Sequence, residues 1–191
     1  MTPSRPDLEV IVQMVPPGAR VLDLGCGDGT LLAELVAQKG VQGRGVEVDE
    51  AKVRACMSKG LSVRHGNIED GLADFPDGMF DVVILSQTVA YLNRPLGVMQ
   101  EMARVGRSAV VSFENAGYWK TRWRALCGNG NGNTLVSGQP RVRAITLAQF
   151  DEALRHLNLR AAERVFLRGS LQVTRWPSVS AEAAVFRVAK A

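Results

Sequence analysis

The chain has 191 residues, of which 46% are apolar and 22% charged, and its formal net charge is +4. This length suits one domain, and the apolar content excludes a chain too polar to bury a core. Three cysteines without a C-x-x-C spacing exclude a disulfide-stapled scaffold and a structural zinc site, and they point to a reducing compartment.

The charge is unevenly spread. Residues 1–100 hold nine Lys/Arg against 13 Asp/Glu, whereas residues 101–191 hold 14 against 6. A basic half is either a set of solvated helix faces or a contact surface for nucleic acid, an acidic protein or an anionic substrate. Met1 is followed by TPSRPD rather than by a basic start and an apolar run, and no apolar stretch reaches the roughly 18 residues of a membrane span. A cytoplasmic protein without membrane contact is expected.

Helical and strand periods alternate, which predicts an α/β domain over residues 1–191, a doubly wound, mostly parallel sheet flanked by helices. DLEVIVQMV (7–15) reads as an amphipathic helix ended by Pro16, Pro17 and Gly18, and ARVLDLG (19–25) as an apolar strand. GTLLAELVAQKG (29–40) places Leu31, Leu32, Leu35 and Val36 on one helical face and stops at Lys39-Gly40. GRGVEV (43–48), LSVRHGN (61–67), FDVVILS (80–86) and RSAVVSF (107–113) read as strands two to five; DEAKVRACMSKG (49–60) and PLGVMQEMARVG (95–106) read as helices. Thr146 is the expected N-cap of a helix over 146–158. LRAAERVFLR (159–168) and AEAAVFRVAK (181–190) form a predicted C-terminal antiparallel hairpin.

Residues 114–144 form an irregular insertion with one short helix from Tyr118 to Leu126, followed by GNGNGN, a composition that favours loop. Trp119 and Trp123 stand four residues apart, so they are expected to pack as one apolar face, with Lys120, Arg122 and Arg124 opposite. Aromatics interleaved with cations also suit nucleic acid, but packing is the expected role and nucleic-acid binding is not expected.

Gly25, Gly27 and Gly29 make a G-x-G-x-G turn between the first strand and the next helix. The dinucleotide fingerprint requires G-x-G-x-x-G, and here Thr30 stands in the third glycine's place. A pyrophosphate on the helix N-terminus would also meet the carboxylates of Asp23 and Asp28, a repulsion on the order of a few kcal/mol. The same carboxylates favour a cation. S-adenosylmethionine, with its sulfonium, α-amino group and adenosine and no phosphate, fits them.

Glu47 lies 22 residues after Gly25, near the spacing at which an acidic side chain accepts hydrogen bonds from ribose hydroxyls. Gly66-Asn67-Ile68 ends the third strand where adenine would sit, with Asn67 placed to receive its exocyclic amine. Ser86 ends the fourth strand at the carboxyl edge of the sheet. The candidate cofactor-binding residues are therefore Asp23, Gly25, Cys26, Gly27, Asp28, Glu47, Val48, Asn67, Ile68 and Ser86. The small Cys26 is expected to pack between its glycines.

VLDLGCGDGTLLAEL, GVEVDEAKVRACMSKGLSV, FDVVILSQT, EMARVGRSAVVSF and NAGYWKTRWRALCG together resemble the class I S-adenosylmethionine-dependent methyltransferases, and within them the MetW-like methionine biosynthesis proteins, over about residues 7 to 160. The resemblance implies a Rossmann-like, seven-stranded sheet and S-adenosylmethionine or S-adenosylhomocysteine as ligand. It also implies cofactor roles for Asp23, Gly25, Gly27, Glu47 and Asn67, the last being more often Asp. MetW-like proteins are associated with homoserine O-acyltransferase as partner or activator, which sets a non-catalytic role beside methyl transfer to a small molecule, protein or RNA. The chain departs from the family at Glu114-Asn115-Ala116-Gly117-Tyr118-Trp119, where Pro-Asn-Phe-Gly-His-Trp is usual, and at GNGNGNTLVSGQPRVRA.

No catalytic residue is singled out. His65 and His156 are expected at the surface or packed, Tyr91, Glu114 and Tyr118 have no spacing that selects one of them, and no metal-ligand spacing is present.

Overall fold

A computed structural model describes residues 5–127 and 142–191. The GNGNGN stretch and the rest of residues 128–141 of the insertion lie outside them. The chain opens with helix α1 (Pro6–Met14), after which strands and helices alternate as β1 (Arg20–Leu24), α2 (Thr30–Lys39), β2 (Gln42–Glu47), α3 (Glu50–Ser58) and β3 (Ser62–His65). Then come a 3-10 turn (Ile68–Asp70), β4 (Phe80–Ser86), a second such turn (Val89–Tyr91), α4 (Pro95–Val105) and β5 (Gly106–Glu114). The C-terminal part holds α5 (Trp119–Leu126), α6 (Leu147–His156), β6 (Leu159–Arg168), β7 (Leu171–Gln172), α7 (Pro177–Ser180) and β8 (Ala183–Lys190).

Local chemistry accounts for the helix ends. Gly40 closes α2 in the left-handed conformation, and Asp49 caps α3 by accepting from the Ala51 and Lys52 amides. Thr146 and Gln149 form a capping box at the start of α6.

The sheet order is β3-β2-β1-β4-β5-β8-β6-β7, with seven long strands and the two-residue β7 at one edge. The first five strands are parallel, and β8 runs antiparallel between β5 and β6. The two final long strands do pair, and β7 and α7 lie between them in the chain. This is an α/β, Rossmann-like doubly wound sheet.

Side-chain alternation divides the core into two layers. Leu22, Leu24, Val83, Leu85 and Phe113 face one side, where Phe150 of α6 and Phe186 of β8 meet with ring centroids 4.7 Å apart. Val21, Val82, Ile84 and Val110 face the other, against Ile11 of α1 and Leu32 and Leu35 of α2. The same alternation puts Asp23, Ser86 and Ser112 on this second face, at the carboxyl ends of β1, β4 and β5. Sheet order reverses between β1 and β4, so these ends lie at the topological switch point where doubly wound folds take ligands. No helix among the described residues is long and apolar enough to cross a membrane.

α5 corrects one expectation. Trp119 is 53% and Trp123 64% exposed, so their shared face points to solvent rather than into the core. Spacing shows that two residues share a face and leaves open which way that face turns.

Candidate functional site

The glycine loop leaves β1 at Leu24 and enters α2 at Thr30. Gly25, Gly27 and Gly29 have φ of +70°, +59° and +78°, the left-handed region that glycine enters without a Cβ penalty. Their surroundings differ. A Cβ on Gly29 would lie 2.5 Å from Leu61 and 2.8 Å from Cys56 Sγ, and one on Gly25 would lie 2.9 Å from Thr88, whereas the space beside Gly27 is open.

Most loop amides are already bonded. Those of Gly25 and Cys26 donate to the Val46 carbonyl at 2.8 and 3.2 Å, and that of Gly29 donates to the Cys26 carbonyl at 3.0 Å. The Gly27 amide donates to Glu47 Oε2 at 2.8 Å, and that of Thr30 to Asp28 Oδ1 at 3.2 Å. Amides committed in this way do not form the bare N–H cradle that a pyrophosphate requires.

Glu47, buried at the end of β2, also accepts from the Val48 and Asp49 amides through Oε1 at 3.0 Å each. Its carboxylate is thereby fixed against the loop with acceptor capacity left over. Asp23, next to last in β1, is 2% exposed, and burial raises its pKa to about 7 against the pull of Arg5, with the Glu47 charge adding to the rise. Two buried acids beside an open glycine suit a ligand that brings positive charge and hydroxyl donors.

The remaining candidates divide by position. Cys26 packs its sulfur where a Cβ on Gly45 would stand, at 2.6 Å, which explains a glycine inside β2, and burial pushes its thiol up. Asp28 is exposed; the Thr30 hydroxyl at 2.8 Å and Lys59 Nζ at 3.1 Å hold its carboxyl below the usual range. The Val48 side chain is exposed, and its carbonyl accepts from His65 Nε2 at 2.8 Å. Asn67 is exposed and caps the turn after β3, its Oδ1 accepting from the Glu69 amide at 3.0 Å, while Ile68 is buried in the α4-side core. Tyr118 is buried, and Tyr91 and Glu114 are exposed.

Ser86 belongs to a network that sequence reasoning missed. Its Oγ accepts from Arg5 at 2.6 Å and lies 3.2 Å from Ser112 Oγ and 3.4 Å from Asp7 Oδ2. Asp7 is buried and accepts from Arg5 at 2.7 Å, from Ser112 at 2.9 Å and from Gln87 Nε2 at 3.4 Å. Burial raises the Asp7 pKa, but the Arg5 bond and charge, with Ser112 and Gln87, more than reverse this and hold it below the usual range. Gln87 adopts φ +53° here, an uncommon strain for a side chain of its size. A signal was present in α1: Asp7 stands in the i, i+3, i+4, i+7 stripe with Val10, Ile11 and Met14, an acid on a face otherwise apolar.

Comparison with known proteins fits this geometry. A bifunctional methionine biosynthesis protein MetXA/MetW from Rhodopirellula baltica is 33% identical over 174 residues, which are 84% of this chain and 28% of that protein. The chain thus spans little more than a quarter of that relative. Among solved structures, a SAM-dependent methyltransferase from Archaeoglobus fulgidus superposes with a TM-score of 0.72 at 17% identity, covering 96% of this chain and 91% of that one. The [4+2]-cyclase SpnF superposes at 0.67 with 15% identity, covering 97% and 81%. Likeness at such identities shows the fold, and one fold hosts more than one reaction. The family described as methionine biosynthesis protein MetW matches residues 5–188, and the chain belongs to it.

Proposed function

We propose that the chain binds S-adenosylmethionine or S-adenosylhomocysteine at the carboxyl ends of β1 and β2. One observation carries the reading: the buried Asp23 and Glu47 face a glycine loop whose amides are mostly committed, so the site favours a cationic nucleoside over a phosphate. Asp23 would hold the α-amino group, Glu47 the ribose hydroxyls, and the backbone of Gly25, Cys26 and Gly27 the body of the ligand. Val48, Asn67 and Ile68 would bracket the base, with the Asn67 amide supplying the remaining polar contact. Asp28 and Ser86 stand at the margins. S-adenosylmethionine, when bound, supplies an electrophilic methyl group. Calorimetric titration with both compounds tests the premise, and absence of binding at micromolar concentration sinks it.

A second reading concerns what the bound nucleoside is for. The fused MetXA/MetW relative and the resemblance to proteins associated with homoserine O-acyltransferase favour a chain that acts in methionine biosynthesis by engaging that acyltransferase. In this reading the nucleoside is a signal, and no group of the chain has to remove a proton from an acceptor. Acyl transfer measured with and without the chain is the test. An unchanged rate and no complex would remove this reading while leaving nucleoside binding intact.

A further inference from the structure

We infer that α5 is the docking element for the acyltransferase, entering an apolar groove rimmed by carboxylates on that enzyme. The inference rests on the second reading above and adds where the contact lies. Trp119, Trp123 and Leu126 occupy positions i, i+4 and i+7, the spacing of anchors on a helix that lies in a partner's groove. They are 53%, 64% and 83% exposed. All three tryptophans of the chain are at the surface, the third being Trp176 at 78%.

An eight-residue helix is too short to be stable alone in water, and a helix normally buries its apolar stripe. Here that stripe is turned out. Tryptophan and arginine are also the residues that concentrate binding energy at interfaces.

Charge selects the partner. Lys120, Arg122 and Arg124 flank the stripe, α5 contains no acid, and none of these three cations forms a salt bridge among the described residues. The adjoining sequence 128–141, GNGNGNTLVSGQPR, contains no carboxylate to offset them. A partner's carboxylates would supply the counter-charge that the chain does not. A stripe ending in an aliphatic leucine fits a protein groove better than a stack of bases.

The base of α5 is held firmly. Asn115 Nδ2 donates to the Ser178 and Ala181 carbonyls at 3.2 and 3.0 Å, and a Cβ on Gly117 would lie 2.6 Å from the Ser178 carbonyl oxygen, so the turn that starts α5 sits on α7. Trp176, at the N-cap of α7, has φ +49°, a strained conformation for a bulky residue, and Ser180 Oγ donates to its carbonyl at 2.8 Å.

The test uses the full chain and the purified homoserine O-acyltransferase of the same organism. Binding is followed by interferometry, with calorimetric titration of S-adenosylhomocysteine alongside. Trp119→Ala/Trp123→Ala is expected to weaken the complex about 30-fold or more, and Arg122→Glu/Arg124→Glu to weaken it similarly and remove its salt dependence, with nucleoside affinity unchanged. Wild-type affinity in both variants would overturn the surface while leaving the partner reading standing. No complex with the wild-type chain would overturn the docking and the partner reading together, and nucleoside binding would survive. Dissociation of a homodimer by the tryptophan variant, or loss of RNA binding in the charge variant, with the acyltransferase complex intact, would also overturn it in favour of a second copy or a nucleic acid.

Discussion

Asp7 and Ser112, 105 residues apart in the chain, share a buried hydrogen bond of 2.9 Å. Through it the first turn of α1 is fixed to the carboxyl end of β5, and Arg5 is held at the switch point beside Asp23. Replacing Asp7 by Ala removes the buried acceptor shared by Arg5, Ser112 and Gln87 and leaves Arg5 only Ser86, and the expected loss of stability is about 1–3 kcal/mol in chemical denaturation. The native pKa of Asp7 lies below its unfolded value of 3.8. Its contribution is therefore present above that value and lost as pH falls through the native one. Asp7→Asn should flatten the acid limb of the stability profile.

Asp23 carries the opposite sign. Its pKa is raised from 3.8 to about 7, so between those values the native state holds a proton that the unfolded state has released. Stability of the free protein falls as pH rises across that window. Asp23→Asn should remove the slope, making the variant more stable relative to wild type at about pH 8 than at about pH 5, by an amount on the order of a few kcal/mol. The cationic ligand prefers the ionised acid, so affinity for S-adenosylmethionine should rise with pH up to about 7 in the wild type and be lost in the variant. A variant that keeps full affinity would remove Asp23 from the binding site.

Gly27 and Gly29 separate backbone strain from packing. Alanine at Gly27 meets no neighbour but holds a left-handed φ, at an expected cost of about 1–2 kcal/mol, and its methyl enters the open space where the ligand would lie. Alanine at Gly29 adds overlap with Cys56 Sγ and Leu61, worth roughly another 1–3 kcal/mol. Thermal unfolding should rank Gly29→Ala as the less stable. Calorimetry should show Gly27→Ala losing nucleoside affinity out of proportion to its stability.

Glu47→Gln keeps the shape of the side chain and turns an NH2 group toward backbone donors. Either the bond from the Gly27 amide or the two from Val48 and Asp49 are lost. The expectation is a stability loss of about 1–3 kcal/mol and at least tenfold weaker nucleoside binding. Stability loss with unchanged affinity would leave Glu47 as a brace for the loop only.

The parts of the site that were legible in the sequence are those that local chemistry dictates. Three glycines after an apolar strand require a particular turn whatever surrounds them, and the spacing from Gly25 to Glu47 follows from one helix and one strand. What stayed hidden depends on distant partners. The stripe of α1 turns Asp7 inward, but its partners Ser86, Gln87 and Ser112 lie at the carboxyl ends of β4 and β5, 79 to 105 residues away. Gly45 looks like a weak strand residue until the sulfur of Cys26 is seen to need its space. Trp119 and Trp123 share one face, as their spacing requires, and that face is turned outward, because no local rule orients a short helix whose neighbours are unknown.

The position of β8 imposes an order on synthesis. It follows β6 and β7 in the chain yet lies between β5 and β6, so β6, paired until then with the two-residue β7, joins the parallel strands only when the chain has been extended to Lys190. A chain made stepwise from its N-terminus thus joins the two parts of this sheet only when β8 emerges. A messenger truncated before Ala183 would yield a chain whose β5 edge is bare, open to pairing with its neighbours and to clearance by the cell's proteases.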